Sequence, residues 1–137
     1  MNSRVIMLAP ANWKNKSFPL FNEISTSSSL RSGRWLVVLY HYDCDSCLEA
    51  IARYRAVAVS GAAKDANVKV AFVAMPPVPA GADPAGSCSD CLHLALRPDH
   101  DWLGTTPLVI ALDQGRVLQA EQGKQALEPL VIPAWHR

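Results

Sequence analysis

Bulky apolar residues occupy both parities of positions 35–42 (WLVVLYHY), the pattern of a central strand covered on both faces. From Ser46 the period changes. Cys47, Ala50, Ile51, Tyr54, Val57, Ala58 and Gly61 recur at i, i+3, i+4, i+7, i+10, i+11 and i+14, which is one face of a helix over 44–63. Glu49, Arg53, Lys64 and Asp65 lie mainly off that face, Asp43 is the expected N-cap, and Asp45 falls in the first turn. Residues 68–75 (VKVAFVAM) and 107–112 (PLVIAL) predict two further buried strands. Asp113-Gln114-Gly115 carries hairpin turn chemistry, and 116–121 (RVLQAE) alternates as the returning strand.

Between these strong segments the pattern is weaker. Residues 4–9 predict a short strand, 10–19 a loop holding Trp13, and Phe18, Leu20, Phe21 and Ile24 supply apolar anchors before a polar turn at 25–29. Residues 76–86 hold four prolines (76, 77, 79 and 84) and two glycines, so they read as a stiffened loop. Leu92, Leu94, Ala95 and Leu96 predict a short helix stopped by Pro98, Asp99 to Gly104 a turn or a one-turn helix, and Gln125 to Leu130 a short helix before Pro133. The right-handed crossover rule makes strands 35–42 and 68–75 parallel around the helix, and the hairpin strands are antiparallel. This order predicts an α/β three-layer sandwich with a mixed central sheet flanked by helices. It forms a single domain over 1–137, with a Pro/Gly-rich loop insertion at 76–91.

A chain of 137 residues suits one core, and 18% charged residues at a net charge of +1 mark a globular composition. The charges form no basic run, which argues against a nucleic-acid partner. No apolar run approaches the roughly 20 residues needed to span a bilayer. The start lacks the apolar core and cleavage site of a signal peptide, so the expectation is a cytosolic monomer, or an exported or membrane-anchored one if a segment lies upstream. No P-loop, Gly-rich dinucleotide fingerprint or Ser/His/Asp arrangement is present, and no cofactor is expected.

The four cysteines fall as two C-x-x-C pairs, Cys44/Cys47 and Cys88/Cys91. The first sits where a strand hands over to a helix, a place at which a disulfide forms and breaks across one helical turn. Helix-terminal amides stabilise a thiolate at Cys44, while Asp43 and Asp45 oppose it, so a moderately activated nucleophile is expected. His41 adds to the activation if protonated. Cys47 begins the apolar stripe and fits the resolving role. The second pair is open to three readings: a second redox pair or relay, a structural disulfide, or half of a zinc site completed by Cys44 and Cys47, with His41 and His93 widening the ligand choice. Trp35 and Trp102 read as core or rim aromatics, and His93 and His100 as surface histidines.

The strand WLVVLYHYD, the motif CDSC, the helix after it, and Gly104-Thr105-Thr106-Pro107 with its hairpin together resemble the thioredoxin-like superfamily over about residues 35–123. The block PANWKNKSFPLF followed by GRWLVVLYHYDC also resembles bacterial thioredoxin-like proteins that are often exported or membrane-anchored. The resemblance implies a thiol-disulfide oxidoreductase or electron carrier acting on protein or small-molecule disulfides. It also implies that Pro107 is a cis-proline facing the dithiol, with Thr106 presenting its backbone to an extended substrate. The chain departs from the family pattern at Asp43 (often Trp), at Ser46 (often Pro) and in the longer stretch from Cys47 to Pro107. These departures bear on redox potential and partner choice. The reading from another class is a non-catalytic binding module whose cysteines serve zinc or structure.

Overall fold

The computed structural model describes residues 4–24, 27–76, 88, 90–98, 100–130, 132 and 135. Its centre is a five-stranded mixed sheet. In chain order the strands and helices are β1 (Arg4–Met7), β2 (Arg34–Tyr40), α1 (Asp45–Ala58), α2 (Gly61–Asp65), β3 (Val68–Ala74), β4 (Cys91–Ala95), β5 (His100–Leu103), β6 (Leu108–Asp113) and β7 (Arg116–Gln122). The sheet runs β4-β3-β2-β6-β7, and a separate parallel ribbon pairs β1 with β5. β2 is parallel to β3 and antiparallel to β6, as the crossover rule and the hairpin require.

Alternation along β2 explains both layers of core. Leu36, Val38 and Tyr40 face α1 and α2, where they meet Ile51, Tyr54, Val70, Phe72 and Val109. Trp35, Val37 and Leu39 point the other way, into a second core with Phe18, Phe21, Leu30, Trp102, Ile110 and Leu112. A strand period of two thus delivers one set of side chains to each face. Among the described residues α1 and α2 cover the first face, and the β1–β5 ribbon with short 3-10 turns at Pro10–Asn12, Phe21–Glu23 and Ser27–Arg31 lies on the other.

Some expectations change. The helix expected over 44–63 is two helices, because Ser60 stops α1 and caps α2 by accepting the Ala63 amide hydrogen at 3.1 Å. Gly61 therefore opens α2 and lies off the α1 stripe. The helix expected after Cys91 is the edge strand β4, parallel to β3, so the insertion ends in regular structure. Leu94 and Leu96 are buried in the second core with Leu92 against it, while Cys91 and Ala95 face the helices. That is a period of two, which a helix cannot satisfy. Residues 77–87 of the loop, with three of its four prolines, lie outside the described residues. The turn expected at 99–104 holds β5, and the C-terminal helix is a 3-10 turn at Gly123–Ala126.

Two local features frame β6, one at each end. Gln114 and Gly115 have φ of 53° and 81°, so the β6–β7 hairpin closes through two left-handed residues, as a type I′ turn demands. At Gly104 a Cβ would lie 2.9 Å from Leu8 Cβ, so only glycine lets the ribbon and the 104–107 loop approach this closely.

Tyr54, fully buried on α1, ties this helix to the C-terminal segment. Its hydroxyl donates to the Ala126 carbonyl at 2.8 Å and accepts from the Leu130 amide at 3.3 Å. Burial pushes this phenol up to about 12. Tyr54→Phe keeps the ring and strands these partners, so urea denaturation should report a loss of about 1–3 kcal/mol. A loss below about 0.5 kcal/mol would mean that the contacts are made by water instead.

Candidate thiol site

The site forms where β2 runs out. The chain leaves the sheet at Tyr40, turns through Tyr42 and Asp43, and enters α1 at Asp45. Cys44, not the expected Asp43, is the N-cap. Its backbone is extended (φ −106°, ψ 115°), and its Sγ accepts the Cys47 amide hydrogen at 3.1 Å. A residue with an oxygen side chain usually fills this position, so here a sulfur satisfies one of the orphan amides of the helix start. The same N–H stabilises negative charge on that sulfur. Asp43 and Asp45 are exposed, where water and salt screen their repulsion.

Cys44 is half-buried and Cys47 is 0% exposed, and both are free thiols. Burial pushes the Cys47 thiol up to about 12 from an ordinary 9.0. The hydrogen bond and charge of Cys44 push the same way, and the Thr106 hydroxyl and His41 backbone offset the rise only in part. The two sulfurs of one motif therefore have opposite characters: an accessible one facing a helix start, and a sealed one that keeps its proton at neutral pH.

Across from them stands the loop before β6. The Thr106–Pro107 peptide bond is cis, and Pro107 is buried. Cys44 Sγ lies 3.9 Å from the Thr106 carbonyl oxygen and 3.8 Å from its hydroxyl. His41 joins this group through Nδ1, 3.0 Å from Thr106 Oγ1. The sequence leaves the position of His41 open, and the pairing of β2 with β6 supplies it. Leu39 pairs with Leu108, so the register continued two places sets His41 opposite Thr106. Tyr42 (37% exposed) and Leu48 (44%) are exposed large apolar residues close to Cys44 in sequence, alongside the exposed Asp43 and Asp45.

The second pair stands apart. Cys88 and Cys91 are disulfide-bonded, and Cys88 is buried against the helix-side core. Cys91 pairs with Val70, level with Leu36 near the start of β2, whereas Cys44 follows the far end, where Tyr40, Ala74 and Ala95 align. Four rows at about 3.3 Å and two strand spacings of about 4.8 Å put the Tyr40 and Cys91 backbones roughly 15 Å apart. Asp90 accordingly shares a groove with Ala58, at the last turn of α1. The second pair therefore does not line the thiol site. Nor do the four cysteines converge on one point: among the described residues no group of three or more His, Cys, Asp or Glu is placed to hold a metal ion. His93 is exposed, with Nε2 2.9 Å from the Cys88 carbonyl oxygen. Among the described residues no helix is long and apolar enough to cross a membrane.

No protein-family model matches the chain, and no curated protein matches it. Solved structures do. The thioredoxin domain of a thiol-disulfide oxidoreductase from Bacteroides vulgatus superposes with a TM-score of 0.54 at 17% identity, over 72% of this chain and 76% of that one. A thiol:disulfide interchange protein from Bacteroides sp. gives 0.52 at 16%, over 72% and 70%. The apo Sco1 protein from Thermus thermophilus gives 0.53 at 17%, over 74% and 76%. Identities this low speak for architecture alone, and with the strand order they lead to one conclusion: the chain has the thioredoxin-like fold.

Proposed function

We propose that this protein is a thiol-disulfide oxidoreductase that uses the Cys44/Cys47 dithiol, without a bound cofactor, on protein or small-molecule disulfides. One observation carries the reading: Cys44 is half-buried, its Sγ caps α1 through the Cys47 amide at 3.1 Å and faces Thr106, the residue before the cis proline, while Cys47 is enclosed and its thiol is pushed up. This division of labour is what stepwise exchange needs.

In the reducing direction the Cys44 thiolate attacks one sulfur of the partner disulfide. A Cys44–partner bond forms, the partner S–S bond breaks, and the departing thiolate takes a proton from water. Cys47 then loses its proton and attacks Cys44 Sγ, closing the intramolecular disulfide and releasing the second partner thiol. The partner gains two electrons and two protons, and the dithiol loses the same. Once Cys44 is tied up in the mixed disulfide it no longer holds negative charge beside Cys47. One of the causes that raise the Cys47 thiol is thereby removed just when that thiol must ionise. The Thr106 backbone, beside the reacting sulfur, aligns an extended partner segment, and Tyr42 and Leu48 offer it apolar contact.

Dithiothreitol-dependent insulin reduction tests the assignment. Cys44→Ser should lose more than 99% of the rate, on the order expected when a nucleophile is removed. Cys47→Ser should accumulate a mixed disulfide visible by intact mass. A Cys44→Ser protein that keeps a tenth of the wild-type rate would exclude Cys44 as the nucleophile.

A second expectation follows from the Cys47 thiol. Its value is about 12 when folded against 9.0 for an ordinary thiol, so above pH 9 the unfolded chain releases a proton that the native chain keeps. This contribution is intact below pH 9 and is lost as pH rises toward 12, with a slope of at most about 1.4 kcal/mol per pH unit. Urea denaturation of the reduced protein should therefore weaken between pH 9 and 11 relative to the form with a Cys44–Cys47 disulfide. Tyr54 titrates in both forms and cancels in the difference. Parallel curves for the two forms would contradict a sealed, protonated Cys47.

A further inference from the structure

We propose that His41 is a positioning residue for the Cys44 thiolate and acts by aiming the single hydrogen of the Thr106 hydroxyl. The inference rests on the dithiol reading above and adds to it a device that selects between thiol and thiolate. Its basis is a chain of three contacts: His41 Nδ1 to Thr106 Oγ1 at 3.0 Å, Thr106 Oγ1 to Cys44 Sγ at 3.8 Å, and Cys44 Sγ to the Thr106 carbonyl oxygen at 3.9 Å.

A threonine hydroxyl has one hydrogen to donate and two lone pairs with which to accept. When His41 Nδ1 carries no hydrogen, the hydroxyl donates to the ring and turns its lone pairs to Cys44. That arrangement repels a thiolate and suits a thiol, whose hydrogen goes to the Thr106 carbonyl oxygen. When Nδ1 carries a hydrogen, the ring donates to Oγ1, and the hydroxyl hydrogen is released toward Cys44 Sγ. There it joins the Cys47 amide as a second donor to negative sulfur. The two contacts of Cys44 with Thr106, one to a carbonyl and one to a hydroxyl, are thus the two ends of one switch. The Thr106 hydroxyl also lowers the Cys47 thiol, so it serves both sulfurs of the motif.

The device is built by the sheet. Residue 41 is the first after β2, residue 106 is two before β6, and the antiparallel register sets them opposite each other. A phenylalanine at 41 fills the space of the ring without Nδ1. An asparagine at 41 sets an amide nitrogen near the Nδ1 position and can donate as the ring does.

The test is the rate at which reduced protein is alkylated at Cys44 by limiting iodoacetamide at pH 7, with the label located by peptide mapping. His41→Phe and Thr106→Val should each slow the reaction roughly three- to tenfold, the effect of one modest hydrogen bond, in keeping with the 3.8 Å contact. The double variant should be no slower than the slower single one, because His41→Phe leaves the hydroxyl unaimed and Thr106→Val removes it, so both act on the same hydrogen bond. Thr106→Ser, which keeps the hydroxyl, should restore most of the rate, and His41→Asn should restore part of it. A wild-type rate in His41→Phe, or single losses that multiply in the double variant, would overturn the inference. Cooperative thermal unfolding is checked for every variant. If His41→Phe does not fold, the cycle is run with His41→Leu, and the Thr106→Ser/Thr106→Val pair reads the hydroxyl by itself. Alkylation reports the thiolate without any partner disulfide. An intact cycle with no insulin reduction would sink the proposed activity alone, and insulin reduction with a failed cycle would sink this inference alone.

Discussion

The hydrogen bond from the Cys47 amide to Cys44 Sγ is the contact on which the thiol site, and the chemistry proposed for it, depends. A helix start must satisfy its first amides, and most proteins meet that need with an oxygen that has no other task. Here the cap is the atom best suited to attack a disulfide. Helix formation and thiolate stabilisation are then one event. The constraint reaches back into the sheet, because Cys44 can cap α1 only if β2 ends at Tyr40 and the chain turns within Tyr42 and Asp43. β2 in turn is held by β3 on one side, β6 on the other, and a core against each face.

The opposite wall of the site is fixed by different forces. Thr106 and Pro107 precede β6, whose pairing with β2 sets their height above the sheet. Gly104 lets the β1–β5 ribbon close on this loop without a Cβ in the way. The Gly123 amide donates to the Pro107 carbonyl at 2.9 Å and joins the end of β7 to the same loop. The two halves of the site, 62 residues apart in sequence at Cys44 and Thr106, are thus placed by one strand pair and by contacts from both chain ends.

How much of this was legible in the sequence depended on how local each cause is. β2, β3, β6 and β7 carry dense apolar runs or clean alternation, and α1 carries a stripe, so their patterns identify them without knowledge of their neighbours. The Cys44/Cys47 pair is marked by spacing alone. β4 has the period-two set Leu92, Leu94 and Leu96, but three leucines before a proline also fit a helical turn, and only the edge of β3 decides between them. β1 and β5 owe their form to each other, with Arg4 opposite His100, so neither has a local signal strong enough to stand alone. His41 belongs to the same class: its meaning comes from Thr106, and that contact exists only once the register of β2 and β6 is known. The choice of Cys44 over Asp43 as the cap turns on backbone angles that no single-residue preference encodes.

The distance between the two cysteine pairs has a consequence for how the protein is counted in solution. Cys91 stands level with Leu36 and Cys44 beyond Tyr40, so the two pairs sit at different ends of the sheet. Each pair is then its own two-electron couple. A population held in a buffered thiol pool divides into four species instead of two, and a titration that follows the total number of thiols sums two separate equilibria.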